Sequence, residues 1–291
     1  DTDRSRGLGD VYKRQLLKIY GFILILLQSA VIAGCDNDDK NSTMNSSLVN
    51  LGDFYYSDGT WSSNLNSHKE VIGIVFGISK EKGGEVLPGL TKGQHGRVVA
   101  LKNINVDGNE WLYWGEYGGN KEVPKLTKHA TMDGANYYYF INTDNPSNWQ
   151  TGAISDWNGA ENTLMILKYR GERATIENKP SDYPAASFCH LYGNNDWAVG
   201  KPGEWYLPAC GEAALIYARR EMTMNKFKEC NGQWFGSYLW TSTAFDWKTN
   251  EGKHDITENL SGSSWTVYFT YGMIAWPTRD CPKPVRPVMA F

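Results

Sequence analysis

The chain has 291 residues, is 41% hydrophobic and carries a formal net charge of −3, enough apolar material for one large domain or two small ones. Neither Lys nor Arg clusters in a basic run, which argues against nucleic acid as a partner. Twelve Trp, 17 Tyr and 30 Gly predict a loop-rich globule whose aromatic rings fill a core and line a recognition surface.

Residues 1–15 hold no initiator Met, the first being Met44; they resemble adapter read-through and are expected to be a non-native leader. Residues 16–35 read as a processing segment. Lys13, Arg14 and Lys18 precede an apolar run from Ile19 to Leu27, too short to span a bilayer comfortably, and the run closes on Ile32-Ala33-Gly34-Cys35. That ending resembles a bacterial lipobox, which implies that Cys35 is lipidated and anchors the chain in a membrane. Asp36-Asn37-Asp38-Asp39 resembles the acidic export tag of outer-leaflet lipoproteins. Residues 36–47 are polar and aperiodic, and predict a flexible tether. The folded domain is expected over residues 48–291.

Within that domain Val71-Ile72-Gly73-Ile74-Val75-Phe76 is a continuous apolar run of strand length, and His95 to Leu101 predicts the next strand. Asp53 and Asp58 have the chemistry of metal ligands, but Ser57-Asp58-Gly59 more simply predicts a turn in which Asp bonds its own backbone. Residues 109–156 are the least regular and predict an insertion. Asp156-Trp157-Asn158-Gly159-Ala160-Glu161-Asn162-Thr163 precedes a short helix, Leu164 to Tyr169. Its polarity is EF-hand-like, but the alternating oxygen ligands and closing Glu are missing; a structural loop is the first reading and an ion site the alternative.

Trp205-Tyr206-Leu207-Pro208-Ala209-Cys210-Gly211-Glu212 predicts the start of a helix, with Pro208 in its first turn and Trp205 and Leu207 as its apolar lead-in. From Glu212 to Lys228 the apolar residues Ala213, Ile216, Tyr217, Met224 and Phe227 fall on one face of one helix. Cys210 and Cys230 at its ends would stand on the order of 25 Å apart and should not pair. Leu239-Trp240-Thr241-Ser242-Thr243 predicts a strand. In Trp265 to Thr270, alternation places Trp265, Val267 and Phe269 in the core and Thr266, Tyr268 and Thr270 outward. Tyr271-Gly272 makes the turn. Three prolines between Pro277 and Pro284 predict a stiff loop bearing Thr278, Arg279 and Asp280, either a recognition loop or a solvated one.

The W-Y-L-P-A-C-G-E start, the L-W-T-S-T strand and the closing Val285-Arg286-Pro287-Val288-Met289-Ala290-Phe291 together resemble the C-type-lectin-like fold. The branch is that of the C-terminal domain of the Legionella collagen-like protein, found in surface lipoproteins of Bacteroidales. Tyr55-Tyr56-Ser57-Asp58-Gly59-Thr60-Trp61-Ser62 resembles that family's opening. The resemblance implies an α+β fold with two helices and a twisted antiparallel sheet, elaborated by an insertion. It also implies that Tyr183 to Cys189 begins the first long helix and that Cys189 pairs with Cys281.

Many variable proteins of diversity-generating retroelements share this fold and diversify the residues between the W-[ST]-S-T strand and the closing R-P-V. The matching positions here are Phe245, Asp246, Trp247, Thr266, Tyr268, Thr270 and Tyr271, then Met273 and Ala275 to Asp280. The expected binding residues are Phe245, Asp246, Trp247, Tyr268, Tyr271, Met273, Trp276, Thr278, Arg279 and Asp280. Trp247, Tyr271 and Trp276 would supply rigid contact area, and Arg279 and Asp280 polar specificity. Glu-Pro-Asn, Gln-Pro-Asp and Trp-Asn-Asp do not occur, so calcium-dependent sugar binding is not expected. Neither is catalysis: no G-x-S-x-G, H-E-x-x-H, C-x-x-C or Walker loop is present. No cofactor or metal is expected. The expected function is binding of a protein or glycan ligand by a surface-exposed outer-membrane lipoprotein; the alternative is a fimbria-like tip or accessory adhesin subunit.

Overall fold

A computed structural model describes residues 48–79, 82–84, 87–115, 123, 126–129, 138–143, 149, 152–168, 183–192, 204–246 and 262–291. The leader, signal-peptide and tether expectations, with the lipidation of Cys35, lie outside these residues, as does Trp247. Chain contacts gather Ser47–Phe291 into one unit, and it is mixed α+β.

Eleven strands are described in two sheets. The first holds β1 (Phe54–Tyr56), β2 (Trp61–Ser62), β3 (Val71–Ile78), β4 (Gly96–Ala100), β7 (Trp205–Tyr206) and β11 (Val288–Ala290), in the order β2-β1-β3-β4-β11-β7. All its pairings are antiparallel. Val71–Phe76 forms a strand because its unbroken apolar run is buried on both faces, as the burial of Ile72 through Ile78 shows. The second sheet holds β5 (Lys128–His129), β6 (Tyr138–Phe140), β8 (Tyr238–Phe245), β9 (Ser264–Tyr268) and β10 (Met273–Ala275), in the order β5-β8-β9-β10-β6. It is mixed, because β5 runs parallel to β8.

Four α-helices are described rather than two: α1 (Gly159–Lys168), α2 (Pro184–His190), α3 (Cys210–Ala218) and α4 (Arg220–Glu229). The helix beginning at Pro184 is seven residues long, not a long one. Glu212 to Lys228 is not one helix. It breaks at Arg219, whose backbone leaves the helical region at φ −107° and ψ 15° while its guanidinium donates to the Phe76 carbonyl within the neighbouring strand β3. Hydrophobic periodicity continues across the break, with Ile216 and Phe227 both buried, so the pattern alone carries no sign of it. Pro208 lies before the N-cap Ala209 rather than in the first turn; its carbonyl accepts the Ser242 N–H at 2.8 Å.

Helix α3 is buried all round from Cys210 to Ile216 and packs between β8, β9 and β3. One core cluster joins it to Phe76, Phe227, Phe235, Trp265 and Phe269. A second, on the other side of the first sheet, joins Val98, Trp114, Trp205, Trp240 and Met289 to α2. Cys189 sits in the second cluster and Cys210 in the first, and all four described cysteines are free, so the implied Cys189–Cys281 pair is absent.

Candidate functional site

Two of the three motif blocks, 205–212 and 239–243, meet at a buried polar junction. Glu212 Oε2 accepts the Ala209 N–H at 2.7 Å, and its Oε1 takes Arg97 Nε at 2.7 Å and the Tyr206 hydroxyl at 2.9 Å. Burial pushes the Glu212 carboxyl up, opposed by Arg97 and these donors. Burial works against the Arg97 charge, but Glu212 and Tyr206 outweigh it and hold the guanidinium above its ordinary value. Arg97 also donates to the Pro88 and Trp157 carbonyls.

Asp156 extends the junction. Its Oδ2 accepts from Asn162 Nδ2 and from Thr243 Oγ1, each at 2.8 Å, and its Oδ1 accepts the Asn158 N–H at 3.0 Å. Thr243 Oγ1 in turn accepts the Cys210 N–H at 2.8 Å. These contacts tie the Asp156–Thr163 tract to the L-W-T-S-T strand and the α3 start, the work of a structural loop. Asp58 is the expected turn residue, accepting from the Thr60 N–H and hydroxyl. Lys69 and Thr60 hold its carboxyl down to about 2.

Arg286, from the closing block, is fully buried and donates to Asn103 Oδ1 and to the carbonyls of Ala100, Gln233 and Trp234. Burial pushes it down to about 9, still a cation at neutral pH, as the ring of acceptors requires.

The expected binding residues divide. Phe245 is 1% exposed and stacks on Trp276 at 4.3 Å between ring centres; both are core residues rather than contact area. Arg279 is 5% exposed; its Nε donates to Ser264 Oγ at 2.8 Å and its guanidinium lies 4.1 Å from the Trp114 ring. It therefore braces the loop instead of meeting a ligand. The loop itself is stitched down on both sides: Leu112 and Lys283 exchange backbone hydrogen bonds at 3.0 Å, and the Arg279 N–H donates to the Gly262 carbonyl at 2.8 Å. Asp280 is exposed, Thr278 and Asp246 are half-buried, and Trp247 lies outside the described residues. Thr266 does not face solvent; it is buried and donates to the Ala275 carbonyl.

Tyr268, Met273 and Tyr271 come together. Tyr238 pairs across strands with Tyr268, Tyr268 with Met273, and Met273 with Phe140. Residues paired in this way share a sheet face, so four side chains form one row across β8, β9, β10 and β6, about 14 Å long at the usual strand spacing. Tyr238 and Tyr268 stack at 3.9 Å, Tyr271 meets Tyr268 edge-on at 4.8 Å, and Lys283 Nζ lies 5.2 Å from the Tyr238 ring centre. Phe140 is 69% and Tyr271 60% exposed. Sequence reasoning missed Phe140 and Tyr238. The alternation of 265–270 locates Tyr268, but the row requires knowing that β6 joins the sheet beside β10.

No family model, no curated protein and no solved structure matches the chain. Among the described residues no helix is long and apolar enough to cross a membrane, and no group of three His, Cys, Asp or Glu is placed to hold a metal ion.

Proposed function

We propose that this protein is a non-catalytic binding protein of the bacterial cell surface, a lipid-anchored lipoprotein whose elaborated C-type-lectin-like domain holds a protein or glycan ligand. The observation that carries this reading is the row Phe140–Met273–Tyr268–Tyr238, exposed at Phe140 and half-buried along the rest, with exposed Tyr271 at its edge. Monomeric surfaces seldom line up large apolar side chains without a use. The stacked tyrosines present rigid, hydroxyl-tipped contact area at little entropic cost, and a central aromatic cluster with a cation at its rim has the make-up of a binding hot spot.

The lipobox-like ending at Cys35, the acidic tag and the polar run after it support the anchor. The C-type-lectin-like assignment rests on the three motif blocks, and two features support it: the closing strand lies beside the strand that leads into α3, and the W-T-S-T strand lies against α3. The diversified stretch named by the resemblance includes Tyr268, Tyr271 and Met273 of the row.

The test is to screen the full chain and its Tyr271→Ala/Phe140→Ser variant against one panel of extracellular proteins and glycans. A ligand held by the parent protein and lost by the variant, at equal thermal stability, supports the reading. A ligand held equally by both, or none bound by the parent protein, removes it.

A further inference from the structure

Four leucines are exposed among the described residues, and three of them, Leu48 (68%), Leu51 (43%) and Leu65 (41%), gather where the chain enters the domain. Asp53, 1% exposed, ties their segments together: its Oδ2 accepts the Asn50 N–H at 2.8 Å and its Oδ1 the Ser63 hydroxyl at 2.5 Å. Asn50 Nδ2 donates to the Leu48 carbonyl at 3.2 Å and to Ser63 Oγ at 3.3 Å. The antiparallel pairing of β1 with β2 sets Phe54 opposite Ser62, so the residues leading into β1 and those leaving β2 lie at the same end of this hairpin. Single exposed leucines need no explanation, but here three sit together on fastened backbone.

Their place in the chain points to what covers them. Residues 36–47 separate Cys35 from Leu48, and a flexible run of twelve residues has an end-to-end distance of roughly 20 Å. That reach is on the order of half the width of a domain of this size. With Cys35 anchored in a bilayer, the end of the domain that carries Leu48 is the one held nearest the lipid.

We infer that Leu48, Leu51 and Leu65 form a lipid-contact patch that rests on the bilayer holding the chain, an inference that depends on the lipid anchor proposed above. Anchoring becomes firm when an acyl chain is joined by a second contact, and leucine side chains at headgroup level supply one without charge. The patch belongs to the β1–β2 hairpin of the first sheet and the aromatic row to the second sheet, so contact with the bilayer uses none of the row's residues.

The experiment places the full chain, lipidated in a bacterial host, in phosphatidylcholine vesicles that include phosphatidylcholine with a diazirine in its acyl chain. Illumination followed by mass spectrometry maps the adducts. Leu65→Ser and the triple variant Leu48→Ser/Leu51→Ser/Leu65→Ser are the comparisons; all three side chains are exposed, so both variants should melt as the parent protein does. Adducts are expected on residues 48–65 as well as at the anchor. Leu65→Ser should lower the yield on residues 48–51 about threefold, and the triple variant should lower the yield on residues 48–65 about tenfold or more, at equal amounts of vesicle-bound protein. Adducts confined to the anchor peptide, an undiminished yield from the triple variant, or adducts gathered elsewhere on the domain would overturn the inference while leaving the anchor in place. A chain that does not float with the vesicles would remove the anchor itself, and the inference with it.

Discussion

Arg97 and Glu212 stand 115 residues apart and meet at 2.7 Å, each 1% exposed, where β4 passes the start of α3. Removing one partner strands the other as a buried charge, which generally costs about 3–5 kcal/mol. Glu212→Ala is therefore expected to lower the free energy of unfolding by that amount, read as a drop in the urea midpoint at unchanged m-value. Arg97→Met combined with Glu212→Leu should recover much of the loss. A double-mutant cycle in urea checks both; an additive double variant would show that the two residues are not coupled.

Sequence reasoning makes both Arg279 and Tyr271 ligand contacts, and the structure separates them: Tyr271 is 60% exposed and Arg279 5%. Arg279→Ala leaves Ser264 Oγ without its donor and takes the cation from the Trp114 face, at about 2–3 kcal/mol. Tyr271→Ala, at 60% exposure, should move stability by less than about 0.5 kcal/mol. Once a ligand of the row is in hand, Tyr271→Ala should weaken its binding by tenfold or more, while Arg279→Ala leaves affinity intact at temperatures where it is folded. Melting curves beside binding curves separate the two.

The difference between those two residues marks how far the sequence could be read. Strand alternation found Tyr268 and the core set Trp265, Val267 and Phe269, because a period of two is local. The turn at Tyr271-Gly272 was legible for the same reason. Burial of Phe245, Thr266, Trp276 and Arg279 depends on what lies across the sheet, including the Leu112–Trp114 segment that bonds to the loop from far up the chain. A loop with three prolines and both charges reads as solvent-facing until that partner is placed. The α3–α4 break has the same origin, since the acceptor for Arg219 is a carbonyl at Phe76.

Gly272 should be intolerant of a side chain. Its φ is +67°, and a Cβ there would sit 2.2 Å from the Tyr217 hydroxyl. Left-handed backbone and overpacking together put Gly272→Ala at about 2–4 kcal/mol. Gly108, at φ +87° with open space around its Cβ position, is the control and should cost only about 1–2 kcal/mol as Ala. Chemical denaturation of the two variants compares them; equal losses would mean that the Tyr217 contact relaxes freely.

Cysteine chemistry should follow burial. Cys189 and Cys210 are fully buried, and burial pushes both thiols well above their ordinary value, so they should resist alkylation in the folded protein. Cys230 and Cys281 are half-buried and should be modified first. Mass spectrometry after iodoacetamide treatment, with and without denaturant, is expected to show Cys189 and Cys210 labelled only after unfolding. Native labelling of Cys189 at the rate of Cys281 would contradict the second core as described.

Alkaline stability should be limited by buried phenols. Burial pushes both Tyr55 and Tyr192 up to about 12, whereas an unfolded tyrosine loses its proton near pH 10. The folded state therefore favours the protonated phenol. This stabilisation is fully present below about pH 10, and it is lost as pH rises towards about 12, because the unfolded chain binds fewer protons across that window. Tyr206, buried beside Glu212, is shifted in the same direction. Urea midpoints should thus fall from pH 10 upward with a slope that Tyr55→Phe makes shallower, and tyrosinate absorbance should show a late-titrating class that disappears in urea. An unchanged slope in Tyr55→Phe would place the alkaline limit on other groups, and an early, single titration of all tyrosines would mean that these phenols are reached by solvent in the folded state.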